Sequence, residues 1–197
     1  MNDPVEENIR GAFLPIGITD GADEITRDTQ RVAAVLLPFV KRPSGWHLIY
    51  TQRPETMPNH AGQISFPGGK AETGETVLTA ALRETEEEIG LPAEAIEVIG
   101  RLPSFDARGY FRVTPFAGIV DPDVELVVDE HEVADVFEVP LEFLMNPKNY
   151  IAKAVDFEGE TFTVYYIPYT GPDDVMRNIW GMTAGMTRRV WHATVYD

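Results

Sequence analysis

Cysteine is absent from this 197-residue chain, which excludes disulfides, thiolate metal centres and a cysteine nucleophile, and accords with a reducing compartment. Histidine is sparse: there are four, and no two are spaced as a metal-ligating pair. Any metal must therefore rest mainly on oxygen. Basic residues are also few, since 16 Lys and Arg against 32 Asp and Glu leave a formal charge of -16. Such a surface repels a phosphate backbone, so a nucleic-acid partner is not expected. Long apolar runs are missing as well. The richest, residues 32–40, contains Pro38 and falls far short of the roughly 20 residues that a membrane-spanning helix needs. Residues 1–10 carry acid where an export signal carries positive charge. These absences together lead us to expect a cytoplasmic protein with no membrane partner.

What is present suits one ordinary domain. With 44% hydrophobic residues the chain can bury a sizeable core. Residues 1–28 show no sustained period and read as an irregular arm before a domain spanning 29–197. Residues 32–40 and 46–53 are rich in branched and aromatic side chains, and Pro43-Ser44-Gly45 between them marks a hairpin turn. Residues 54–74 hold Pro54, Pro58 and Pro67 with Gly62, Gly68, Gly69 and Gly74, a shaped loop rather than a regular element. Residues 76–89 carry a helical apolar face ended by Gly90 and Pro92. Strands are expected over 96–102, 113–120 and 133–139, a further hairpin over 152–167, and a last helix over 183–193. Phe116, Phe137 and Trp180 read as strand core.

The helix over 76–89 is chemically unusual. Glu84, Glu87 and Glu88 share one face within a turn, close to the negative end of the helix dipole. Each like-charge pair costs roughly 0.2–0.5 kcal/mol. A solvated acidic face is the ordinary fate of such a run. Here Gly68-Gly69 stands just before it and lets backbone approach a ligand, while an all-oxygen donor set favours hard cations such as Mg²⁺ or Mn²⁺.

The spacing Gly69, five residues, Glu75, seven residues, Arg83-Glu84-Thr85-Glu86-Glu87-Glu88-Ile89-Gly90-Leu91 resembles the Nudix box, with Thr85 standing where the motif prefers an aliphatic residue. The resemblance implies an α+β fold, a Nudix-type α/β/α sandwich with a mixed β-sheet, and water attack on a pyrophosphate bond in a nucleoside diphosphate derivative. It implies Mg²⁺ or Mn²⁺ as cofactor, held by Glu84, Glu87, Glu88 and the Gly68 carbonyl. Arg83 would orient the carboxylates through Glu75 or Glu87, and the base would be Glu87, Glu130 or Glu132.

The segment before the box, Leu48-Ile49-Tyr50-Thr51-Gln52-Arg53 and then His60-Ala61-Gly62-Gln63-Ile64-Ser65-Phe66-Pro67-Gly68-Gly69, resembles the coenzyme A pyrophosphatase branch of that family. Pro54 and Pro58 depart from its pattern, and Pro58 replaces an Arg that could meet phosphate. Later segments, including Ile179-Trp180-Gly181-Met182-Thr183-Ala184, fit the same branch. The resemblance implies that coenzyme A or an acyl derivative is cut to 3',5'-ADP and a 4'-phosphopantetheine product. Arg53, His60, Gly69 and Lys70 are its candidate substrate contacts, with Arg101, Arg108 and Arg112 as further cations for phosphate. Family members are often homodimers. Two alternatives stay open: cleavage of ADP-ribose, a dinucleotide or a nucleotide sugar, and a module that senses a nucleotide without cleaving it.

Overall fold

The computed structural model describes residues 3–16, 31–107, 111–157 and 159–195. Of the expected arm, residues 4–11 are ordered otherwise than the sequence reading had it. They form a short helix, α1 (Pro4–Gly11), because Asp3 caps it by accepting from the Val5 N–H and Pro4 opens the first turn. Ile9 and Phe13 are buried, which anchors the segment to the core. Residues 17–28 of that arm lie outside the described residues.

The body is a mixed sheet. β1 (Arg31–Arg42) pairs antiparallel with β2 (Gly45–Gln52) through the expected turn. The short β3 (Ile64–Ser65) extends β2, and β4 (Gly68–Lys70) pairs with the first half of β1. After α2 (Val77–Ile89) come β5 (Ile96–Arg101), β6 (Phe105–Ala107) and β7 (Phe111–Val120). β7 lies parallel to β1 over ten register pairs, and β8 (Asp135–Pro140) closes on the other edge of β2. Among the described residues this sheet has eight strands, with a central order β3-β2-β1-β7-β5.

Period-two alternation along β1 divides the core. Ala34, Leu36 and Val40 face α2 together with Ala81, Ile89 and Phe116. Leu37 and Phe39 face the other side, against α1, the one-turn α3 (Leu141–Leu144) and the chain's last third. That third contains β9 (Ile151–Phe157), β10 (Glu160–Thr170) and β11 (Met176–Trp180), a separate antiparallel sheet in the order β11-β10-β9, followed by α4 (Gly181–Val195). Ile167, Tyr169, Ile179, Ala184, Met186 and Val190 bring this layer into the core. Helices thus cover both faces of a mixed sheet, as expected of an α/β/α sandwich. Among the described residues no helix is long and apolar enough to cross a membrane.

Candidate active site

α2 is built to deliver its last turn to one place. Thr76 caps its start by accepting from the Thr79 N–H at 3.1 Å. Ala80, Ala81, Thr85 and Ile89 bury one face on the sheet. Thr85, the residue that departs from the motif, has its hydroxyl satisfied within the helix by donating to the Ala81 carbonyl at 2.6 Å, so no polar group is stranded in the core. Gly90 ends the helix in the left-handed conformation at φ 64°, and its N–H closes on the Glu86 carbonyl.

The carboxylates differ sharply in surroundings. Glu88 is only 4% exposed and accepts from the Gly68 N–H at 3.1 Å. Burial pushes its carboxyl up to about 7, with further upward push from Glu84 and Glu132 and partial relief from that N–H and from Arg53. Glu84 is raised by the same desolvation, against the pull of Arg83. It lies against Gly69, where any Cβ would overlap its carboxylate. Glu87 remains largely exposed.

Arg83 is the hub. Its guanidinium donates to both oxygens of Glu75 at 2.9 and 3.1 Å, to Glu87 at 2.9 Å and to the Lys70 carbonyl at 3.1 Å. It also pairs with Glu84 at 3.0 Å. Glu75, held by Arg83 and by the Glu72 N–H, falls below the usual carboxylate range. The expected orienting contacts through Glu75 and Glu87 are both present, so Arg83 and Glu75 form a frame that ties the loop before α2 to its last turns.

The loop after β7 completes the face. Val127 donates to the Ile89 carbonyl at 2.9 Å and Asp129 to the Glu88 carbonyl at 3.0 Å, satisfying the end of α2 and bringing Glu132 alongside Glu84 and Glu88. Glu132 itself is exposed to solvent.

The donor chemistry of this face fits a hard divalent cation. Glu84 and Glu88 are both raised by burial, Glu84 further by Glu87 and Glu132 and Glu88 further by Glu84 and Glu132, so a bound cation would relieve both. Two of the three carboxylates are nevertheless held as ion pairs, Arg83 engaging Glu84 and Glu87, and among the described residues no three His, Asp or Glu side chains converge on one point. Gly68 meets Glu88 through its N–H rather than its carbonyl.

The expected substrate contacts separate. Arg53 and His60 line a cavity of about 260 Å³ with Gly68, Ile64, Phe66, Trp180 and Met182. Lys70 lies elsewhere, in a larger cavity of about 700 Å³ lined also by Glu75, Thr76 and Arg31, with its ammonium 5.8 Å from the Phe111 ring. Gly69 serves the fit of Glu84 and lines neither cavity. Arg101 is buried and donates to Ser104, Arg112 stands 3.8 Å from Asp106, and Arg108 lies outside the described residues. Phe116 and Phe137 are core, as read from the sequence. Trp180 is not: at 40% exposed it forms a wall of the smaller cavity. The available signal was Gly181 directly after it, which turns the chain at φ 65° from β11 into α4.

The sandwich presents an arginine-framed carboxylate face next to a cavity lined by Arg53 and His60. Residues 29–158 match the NUDIX domain family, and the chain belongs to it. A Nudix hydrolase NudL of Klebsiella pneumoniae, described as uncharacterized, is 41% identical over 162 residues, covering 82% of this chain and 81% of that protein. Its counterpart in an Escherichia coli strain is 41% identical over 170 residues, covering 85% of each. Among solved structures, a MutT/nudix family protein from Enterococcus faecalis superposes with a TM-score of 0.57 at 14% identity, over 87% of this chain and 64% of its own. The RenU Nudix hydrolase of M. smegmatis gives a TM-score of 0.50 at 24% identity, over 57% and 73%. Both show the shared fold. The protein is thus a Nudix pyrophosphohydrolase acting on nucleoside diphosphate derivatives, in a family whose members generally need divalent metal ions.

Proposed function

We propose that this enzyme cleaves the pyrophosphate of coenzyme A or an acyl-coenzyme A, releasing 3',5'-ADP and 4'-phosphopantetheine or its acylated form. The observation that carries the reading is the segment from Leu48 to Gly69. Its branch-like pattern folds into β2, the loop and β3, and places Arg53 and His60 in the cavity that Gly68 shares with the catalytic face. A guanidinium there suits a phosphate, and the apolar part of the lining, Val35, Ile64, Phe66, Trp180 and Met182, suits the uncharged part of a substrate.

Glu84, Glu87 and Glu88 would hold Mg²⁺ or Mn²⁺ with the backbone at Gly68. When bound, the cation neutralises the nonbridging oxygens and acidifies the attacking water. Arg83 keeps Glu75 and Glu87 in place, and its 3.0 Å pairing with Glu84 would give way if Glu84 turned to a cation. Glu132 is the better-placed base: it is exposed and stands by Glu84 and Glu88, whereas Glu87 is engaged by Arg83.

Chromatography with mass detection of products from coenzyme A, acetyl-coenzyme A, ADP-ribose, NADH and a diadenosine polyphosphate, with Mg²⁺ or Mn²⁺, tests this. Preferential release of 3',5'-ADP from the first two is expected. Cleavage of the other substrates alone would replace the substrate assignment and keep the chemistry. Binding without turnover of any would favour a sensing module.

A further inference from the structure

One wall of the Arg53 cavity has no role in pyrophosphate chemistry. Trp180 and Met182 line it, yet both remain about two-fifths exposed. Trp180 ends β11, where register places it opposite Tyr166 of β10, which in turn lies opposite Ile151 of β9. Directly paired residues share a face, and the Trp180 and Tyr166 rings stack with centroids 6.1 Å apart and planes 9° from parallel. Further along the same face of β10 come Val164 and then Phe162, and both Ile151 and Phe162 are exposed. The alternate residues Ile167, Tyr169 and Ile179 are buried in the core. The small sheet therefore has one face in the core and a second, apolar face in water that begins at the wall of the cavity.

The charge on that face is equally selective. Between Trp180 and Phe162 its register positions include a single charged side chain, Lys153, whose ammonium sits 4.8 Å from the Tyr166 ring centroid. No carboxylate falls there, although the chain carries 32. We propose that this strip receives the apolar acyl chain of a thioester substrate whose pyrophosphate lies between Arg53 and the Glu84–Glu88 face, so that Trp180 and Tyr166 set chain-length preference. The inference rests on the coenzyme A reading above.

Continuity decides the occupant. The strip starts within the cavity at Trp180, so a chain leaving the cavity on that side meets apolar surface from its first methylenes. Met182 at the junction is unbranched and adapts to chains of different length. A second copy of this protein would instead have to bring another charge of -16 against the same face.

The test compares kcat/KM for coenzyme A and its acetyl, octanoyl and palmitoyl thioesters in the wild type, Trp180→Ala, Trp180→Phe and Tyr166→Ser. Each methylene that reaches the strip raises kcat/KM by up to about fourfold. The series should therefore climb steeply from acetyl to octanoyl through a falling KM. Trp180→Ala and Tyr166→Ser should flatten the climb, and Trp180→Phe should restore most of it. A flat series in the wild type, with coenzyme A still cleaved, overturns the inference alone. So does a climb that both variants leave intact. If no coenzyme A species is cleaved while another nucleotide is, the substrate assignment falls and the inference with it. Size-exclusion chromatography on the same samples adds one further refutation: a dimer lost in Tyr166→Ser, with a flat series, gives the face to a second copy.

Discussion

Substituting Gly90 by Ala combines two penalties that a second glycine separates. At φ 64° any L side chain is in the left-handed region, a cost of about 1–2 kcal/mol. The new Cβ would also lie 2.8 Å from the Val127 Cβ, 2.8 Å from its carbonyl oxygen and 2.9 Å from its nitrogen. Two of those atoms are backbone, held by the Val127 and Asp129 bonds to the end of α2. Pushing the loop away loses at least one such bond, about 1 kcal/mol, so the total is about 2–3 kcal/mol. Gly74 is the control. Its φ is 87° and nothing lies within 4 Å of its virtual Cβ, so Gly74→Ala should lose the backbone component alone. Urea unfolding of both variants should show Gly90→Ala the less stable by about 1 kcal/mol. The loop that moves also carries Glu132. Turnover of Gly90→Ala should therefore fall by about 10–100-fold, with the turnover of Gly74→Ala largely kept. Equal stability losses in the two variants, or a displaced loop with wild-type turnover, would refute the reasoning.

Two further outcomes follow from single side chains. Glu88→Gln fills the same volume and can still accept from the Gly68 N–H, so the fold should persist while turnover drops by about 100-fold; a near-native rate at saturating Mg²⁺ would remove Glu88 from the catalytic set. Asp3 caps α1, and hydrogen bonds from Lys41 and Trp46 lower its carboxyl to about 2. A depressed carboxyl stabilises the fold above its ordinary value and loses that contribution as pH falls, so wild type should lose its advantage over Asp3→Asn between about 3.8 and about 2. Urea midpoints that keep the same separation across that window would contradict the stabilising pairing of the Asp3 carboxylate with Lys41 and Trp46, since Asn caps a helix as well as Asp.

The chemistry was legible in the sequence because its residues lie within one loop and one helix. From Gly69 to Gly90 the spacing alone places Glu84, Glu87 and Glu88 on a common face, and the helix over residues 76–89 emerges as Val77–Ile89. The longer strands of the main sheet were readable because β1 and β7 are dense with apolar residues, whereas the short β3 and β4 lie inside what reads as a shaped loop and β6 is too short to show a pattern. Less of the last third could be read. Pro168 sits within β10 and Asp173-Asp174 follow it, so the sequence hides β11 and Trp180 reads as core. Whether an aromatic residue at a strand end faces the interior or a cavity depends on what lies across from it, here Tyr166, and that pairing crosses a turn the sequence does not define. The helix at residues 4–11 was missed for a comparable reason. Its cap is local, but what holds it on the domain is not: Asp3 also meets Lys41 and Trp46, partners some forty residues away, and Ile9 is buried in the core.

Those two kinds of legibility correspond to two kinds of function. The box residues are fixed against one another by contacts that leave little freedom: Glu84 against Gly69, Glu88 on the Gly68 N–H, and Arg83 spanning from Glu75 to Glu87. They are carried by α2 and β4, whose packing on β1 does not involve the small sheet. The far wall of the Arg53 cavity comes instead from residues 180–183, at the junction of β11 and α4. On the proposed reading, change at that wall would alter which group attached to the pyrophosphate is accepted without disturbing the carboxylate face. This separation is why the reaction could be inferred from a local motif, while the substrate had to be argued from surfaces that meet only after folding.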